Sequence, residues 1–233
     1  MTEKLRASVA LLDIEGTLGS FAFVHDVLFP FAEERMDAYV SAHQDDPRVR
    51  AILDEAATLA GVDVHDLDAI LRALHVWSRE DAKITPLKAL QGFIWAEGFE
   101  QNGLHGHLYD DSVAALRRFH DAGVTLYIYS SGSIGAQKLL FGHSVAGNLL
   151  NLFSGFYDTT IGGKRERSSY EKIARDIGAS PEAIVFFSDN IRELDAARAA
   201  GLQTIHVARP EDGTEAASTH PVVTSFDGID IKR

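Results

Sequence analysis

Four short runs of apolar residues constrain this chain more than any other feature: SVALLDI (8–14), VTLYIYS (124–130), AIVFFSD (183–189) and LQTIHVA (202–208). None alternates apolar with polar residues, so none suits a sheet with one face in water. Runs of this kind belong to parallel strands covered on both faces. Helical stretches lie between the last three: SYEKIARDIGAS, stopped by Gly178, and ELDAARAAG, stopped by Gly201. Strand and helix in alternation predict an α/β fold, a doubly wound parallel sheet of Rossmann-like form.

About a hundred residues separate the first run from the second, and they show helical spacing in place of strands. The segments are VLFPFAEERMDAYV, AILDEAATLAG, LDAILRALHVW and PLKALQGFIWAEGF. Thr85 is expected to cap the last of these, with Pro86 at its first helical position. The spacing predicts an inserted all-helical cap domain over residues 20–108 and a core domain formed by residues 1–19 and 109–233. A further helix, DDSVAALRRFHDAG, returns the chain to the sheet and stops at Gly123. The tract RPEDGTEAASTHP reads as a loop before a short VVTSF edge strand.

With 233 residues, 45% of them hydrophobic, the chain has enough apolar surface for a sizeable core. Its net charge of −12 argues against a nucleic-acid partner, which would be held by Lys and Arg on phosphates. It has no cysteine, so disulfides and thiolate metal sites are excluded. No run reaches the roughly 18 uncharged apolar residues of a membrane span, and no leader is recognisable. A cytoplasmic protein with no membrane partner is the expectation.

In an open parallel sheet, ligands bind beyond the carboxyl ends of the strands. Three of the runs end in polar residues there: the first in Asp13, the second in Ser130 and Ser131, the third in Ser188 and Asp189. Two carboxylates brought together repel unless a cation lies between them. A hard ion, Mg²⁺ above all, takes carboxylate oxygens and keeps waters for a phosphate. Each signal alone has a plainer reading. DxE at a strand end is commonly a turn, Ser-Ser-Gly-Ser a loop or helix cap, Lys164 a surface lysine, and Asp189 an N-cap. Glu193 reads equally as the holder of a metal-bound water or as a first-turn acid facing the helix dipole. The aromatics Phe29, Phe31, Trp77, Phe93 and Trp95 read first as helix core.

The joint order of these residues resembles the haloacid dehalogenase (HAD) superfamily of phosphohydrolases, whose nucleophile loop DxDx[TV] resembles Asp13, Glu15 and Thr17, with a glutamate where most relatives have the second aspartate. Read outward, DIEGT, HDVLFPFA, TPLKALQG, YIYSSGSIGAQKLLFGHS, IGGKRERSSYEKIARDIG and FFSDNIRELDAARAAG resemble the enolase-phosphatases, or acireductone synthases, of methionine salvage. That resemblance implies a HAD core with a helical cap and a monomer acting on a small phosphorylated substrate. The reaction would be enolisation of 2,3-diketo-5-methylthiopentyl-1-phosphate, then hydrolysis of its phosphate. It implies Asp13 as nucleophile, Mg²⁺ on Asp13, Glu15 and Asp189, and Ser130, Ser131 and Lys164 on the phosphoryl oxygens. Glu15 would handle a proton, and Lys164 would also neutralise Asp13. The alternative is a Mg²⁺-dependent HAD phosphatase without enolase activity.

Overall fold

The computed structural model describes residues 3–101, 103–216 and 219–232. The chain divides into two compact units, Met1–Ala22 with His105–Arg233, and Phe23–Leu104.

The first unit is built on a six-stranded parallel sheet. In chain order its strands are β2 (Val9–Leu12), β3 (Thr125–Tyr129), β4 (Phe153–Tyr157), β5 (Ile184–Ser188), β6 (Gln203–Val207) and β7 (Val222–Val223). Across the sheet they run β4-β3-β2-β5-β6-β7, every pair parallel. The strand order therefore reverses beside β2, with β3 and β4 on one side and β5 to β7 on the other. The predicted doubly wound sheet is what forms, and its switch point lies where β2 and β5 end. A separate parallel pair joins β1 (Glu3–Arg6) to β8 (Ile229–Lys232), which the sequence pattern does not foretell. Nor does it foretell β4, where Ser154 and Gly155 interrupt the apolar run; Gly155 leaves room for the Tyr127 ring on the neighbouring strand.

Burial explains why the central strands read so clearly. Every residue of β2 and of β5 is buried. Leu11, Phe186, Tyr170 and Leu194 pack into one cluster on the sheet. Each large apolar side chain removed from water there contributes about 2 kcal/mol.

The helices of this unit follow their predicted signals. α6 (Asp110–Asp121) is followed by Gly123 at φ +80°, and α7 (Ile134–Gly142) is opened by the Ser133 side chain accepting from the Ala136 amide. α8 (Arg167–Ile177) ends on Gly178 at φ +73°, a left-handed conformation that releases the chain toward β5. α9 (Ile191–Ala199) is opened by Asn190, whose side chain accepts from the Arg192 amide, not by Asp189. That single shift frees the Asp189 carboxylate from capping.

The second unit is helical. The short α1 (Phe21–Phe23) leads into it, and its helices are α2 (Phe29–His43), α3 (Pro47–Ala60), α4 (Leu67–Arg79) and α5 (Thr85–Gln101). α5 starts at Thr85 itself, with the Lys88 amide bonded back to the Ile84 carbonyl, so Thr85 lies inside the first turn and does not cap it. Between α1 and α2 the residues Val24–Leu28 form a π-turn, closed by the Phe29 amide on the Val24 carbonyl. Pro30 follows directly, and the wider turn relieves the clash of a proline ring with the carbonyl four residues back. Met36, Leu53, Leu74 and Leu90 are fully buried in the core of this unit, with Phe31, Trp77, Phe93 and Trp95 packed against it. Among the described residues no helix is long and apolar enough to cross a membrane.

Candidate active site

Asp13 follows the last residue of β2. Its amide donates to the Phe187 carbonyl, extending the ladder of β2 with β5 by one step, so its side chain is delivered at the mouth of the switch point. It is buried, and so are Lys164, Ser188 and Glu193. Lys164 Nζ stands 2.6 Å from Asp13 Oδ1 and 2.7 Å from Glu193 Oε2. The Ile14 amide donates to Asp13 Oδ1 (2.8 Å). Ser188 Oγ lies 3.0 Å from Asp13 Oδ2 and 3.2 Å from Glu193 Oε2, and its one proton goes to either.

The lysine reaches this point from the loop between β4 and α8. That loop is fastened from below by two buried tyrosines: Tyr129 OH donates to the Gly162 carbonyl (2.9 Å) and Tyr170 OH to the Lys164 carbonyl (2.6 Å). Ser169 Oγ donates to the Gly163 carbonyl. Lys164, which taken alone reads as a surface lysine, is thus anchored on both sides and buried.

Asp189 comes to the same place from the end of β5. Its amide donates to Thr17 Oγ1 (3.0 Å), and its carbonyl accepts from His206 Nε2 (3.0 Å). The loop after Asp13 is tight: the Ile14 carbonyl accepts from the amides of Thr17, Leu18 and Gly19, and the Gly16 amide donates to the Gly19 carbonyl. Glu15 sits half-buried in this loop, bridged to Gly19. Gly16 has φ +68°, and a Cβ there would come within 2.7 Å of Asp189 Oδ2. Two independent demands, a left-handed backbone and close approach of the Asp189 carboxylate, therefore require glycine. Gly16→Ala is expected to cost about 1–3 kcal/mol of stability and to displace Asp189. Urea unfolding together with Mg²⁺ titration checks it; unchanged values in both would mean that the loop and Asp189 are not in contact.

Ser130 is buried beyond β3 and Ser131 is exposed. The Ser130 amide is already spent on the Tyr157 carbonyl (3.2 Å), while its hydroxyl accepts from the Gly132 amide (3.2 Å) and keeps its own proton to donate. Any donor role of Ser130 therefore belongs to the hydroxyl. Glu193, half-dismissed as a first-turn acid, is instead an ion-pair partner of Lys164. Its position four residues after Asp189, in the first turn of α9, was the only sequence signal.

The electrostatics follow from three acids sharing one base. Burial, with the Asp13 charge added, pushes the Asp189 carboxyl up to about 7. Burial and Asp13 push Glu193 to about 7 as well. Burial alone would lower the Lys164 ammonium; Asp13 and Glu193 outweigh it and raise the group to about 12. The pocket is short of positive charge, and a divalent cation fits that deficit. Among the described residues no three His, Asp or Glu side chains stand together as a metal cluster. A cation on Asp13 and Asp189 would complete its shell with other oxygens, from main chain, water or substrate.

Residues 7–201 match the family model of the haloacid dehalogenase-like hydrolases. The chain is 46% identical over 223 residues to the enolase-phosphatase E1 of Thioalkalivibrio sulfidiphilus, covering 96% of this chain and 99% of that protein. It is 44% identical to the enolase-phosphatase E1 of Aquifex aeolicus, covering 95% and 98%. Among solved structures, the UTR4 protein of Saccharomyces cerevisiae superposes with a TM-score of 0.81 at 32% identity, covering 95% of this chain and 99% of that one. A strand-tip carboxylate paired with a buried lysine, on this sheet and with these relatives, leaves one assignment: the chain belongs to the enolase-phosphatase E1 family of the haloacid dehalogenase-like hydrolases.

Proposed function

We propose that this protein is an acireductone synthase of methionine salvage, and that Asp13 is the nucleophile with which it removes phosphate from the enolised substrate. The reaction converts 2,3-diketo-5-methylthiopentyl-1-phosphate to its enol and then to the acireductone. The observation that carries the residue assignment is the 2.6 Å contact between Lys164 Nζ and Asp13 Oδ1 in a buried setting. An ammonium there masks the carboxylate's charge from an incoming phosphate anion.

In the first displacement, an Asp13 oxygen forms a bond to phosphorus and the bond from phosphorus to the enol oxygen breaks, leaving an aspartyl phosphate. In the second, water attacks phosphorus, the Asp13–phosphorus link breaks and phosphate leaves. Lys164 and the Ser130 hydroxyl donate to the phosphoryl oxygens, with Ser131 beside them on the same loop. Glu15, on the turn directly after the nucleophile, carries the proton that moves in enolisation or to the leaving oxygen. Mg²⁺, when held by Asp13, Asp189 and Glu15, supplies charge that offsets the repulsion between carboxylate and phosphate and favours an enolate. Glu15 would contribute to that set through either its main-chain carbonyl or its side chain. A monomeric state and a cytoplasmic setting complete the proposal.

The test is release of phosphate from the diketone phosphate with and without Mg²⁺, with the enol followed by its absorbance. Wild type is expected to pass through the enol and to need the metal. Glu15→Gln is expected to slow a proton-transfer step roughly a hundredfold while the fold is kept. Phosphate release with no enol signal would leave a phosphatase alone, and wild-type rates in Glu15→Gln would remove the proton role.

A further inference from the structure

The segment after β6 carries an arginine for which the chemistry above has no task. Arg209 is 3% exposed. Its guanidinium carbon lies 4.3 Å from the centroid of the Tyr109 ring and 5.5 Å from that of Phe226. Burying such a charge is costly unless its donors are met. Nη1 donates to Asp111 Oδ2 (2.8 Å) and Nη2 to Ser112 Oγ (2.8 Å). Asp111 Oδ2 also accepts from the Phe226 amide (2.7 Å), so the charge partner is itself fixed. The remaining donors converge elsewhere: Nε (3.1 Å) and Nη2 (3.0 Å) both reach the carbonyl oxygen of Thr17.

Thr17 is the hinge of this arrangement. It is fully buried, it closes the loop that begins at Asp13, and its hydroxyl accepts the Asp189 amide. Its carbonyl is gripped from one side while its side chain holds the tip of β5 on the other. The Asp189 carbonyl, in the next peptide unit, is held by His206, three residues before Arg209. An unbroken chain of contacts thus runs from Arg209 through Thr17 to Asp189, with no step longer than 3.1 Å.

We infer that Arg209 is a positioning residue: by fixing the Thr17 carbonyl it holds the Thr17 hydroxyl against the Asp189 amide and so sets where the Asp189 carboxylate stands relative to Asp13. The inference rests on the proposed function for the metal-binding role of those two carboxylates. A purely structural arginine, present to neutralise Asp111, predicts a different outcome, namely lower stability with unchanged metal affinity. Lysine distinguishes the two, since it keeps the charge for Asp111 and loses the planar fork.

The experiment uses the full chain and measures Mg²⁺ binding by calorimetry at pH 8, with melting temperature and the Mg²⁺ dependence of kcat alongside. Arg209→Lys and Thr17→Val are each expected to weaken Mg²⁺ binding about tenfold. The double variant is expected to be no weaker than the poorer single one, because both break the same chain. Thr17→Ser, which keeps the hydroxyl, is expected to bind within about twofold of wild type. Wild-type affinity in a folded Arg209→Lys protein overturns the inference whatever its melting temperature. Should Arg209→Lys fail to fold, wild-type affinity in Thr17→Val overturns it equally. Wild type that binds no Mg²⁺ overturns the function reading itself, and the inference with it.

Discussion

Asp13→Asn is expected to lower kcat for phosphate release by about a thousandfold or more while leaving the protein folded. The geometry makes both halves of that statement. An amide oxygen in the place of Oδ1 still accepts the Ile14 amide and faces Lys164 Nζ, as the carboxylate does at 2.8 and 2.6 Å. The amide nitrogen then falls opposite Ser188 Oγ, which gives up its 3.0 Å bond to Oδ2 and turns its proton to Glu193 at 3.2 Å. No buried group is stranded, so the melting temperature should stay within a few degrees, roughly the shift of 1 kcal/mol in a domain of this size. What is lost is the nucleophile, because a carboxamide oxygen cannot form and later release an acyl phosphate. Single-turnover phosphate release measured beside thermal unfolding checks the pair. Retention of even a few per cent of the wild-type rate would place the nucleophile elsewhere.

The parts of this fold that were legible in the sequence are those whose environment leaves no choice. β2 and β5 are buried on both faces, so their residues had to be continuously apolar and were recognisable as such. β4, at the edge of the sheet, is only half-buried, tolerates Ser154 and Gly155, and gives no pattern. β1 and β8 pair with each other at opposite ends of the chain, a long-range contact that no local window contains. The site divides the same way. Asp13 and Asp189 were visible because a charged residue ending an apolar run has no core role to fill. Glu193 was legible only as an even choice between the holder of a metal-bound water and a first-turn acid, and Arg209 was not singled out, since an acid in the first turn of a helix and an arginine before a proline are both common on surfaces. Their burial exists only once β5, β6 and the loop bearing Lys164 are assembled. Thr17 was read as a loop former; that its hydroxyl holds the Asp189 amide depends on two strands 172 positions apart lying side by side.

Lys164→Met is expected to produce the largest loss of stability, about 3–5 kcal/mol at pH 8, and to regain part of it by pH 6. Methionine fills similar volume but leaves Asp13, Asp189 and Glu193 without the ammonium that two of them touch. In the wild-type protein Asp189 and Glu193 are already raised to about 7 from ordinary values of 3.8 and 4.5. Between roughly pH 4 and 7 the folded state therefore binds more protons than the unfolded one, and metal-free stability falls as pH rises through that window. Lys164 acts with the opposite limit: raised to about 12 from 10.5, it contributes stability that is complete below 10.5 and disappears as pH climbs through 12. Its removal takes away the attraction that lowers Asp189 and Glu193, so both carboxyls hold their protons to still higher pH. Acidification then supplies the protons that neutralise the pocket, whereas at pH 8 either charge stays in it with nothing opposite or protons must be taken up against the pH, and both cost stability. Added Mg²⁺ at pH 8 should restore part of the loss by mass action, through the same deficit of positive charge. Urea unfolding at pH 6 and pH 8, with and without Mg²⁺, separates these contributions. An equal deficit at both pH values would show that the three acids and the lysine do not share one electrostatic site.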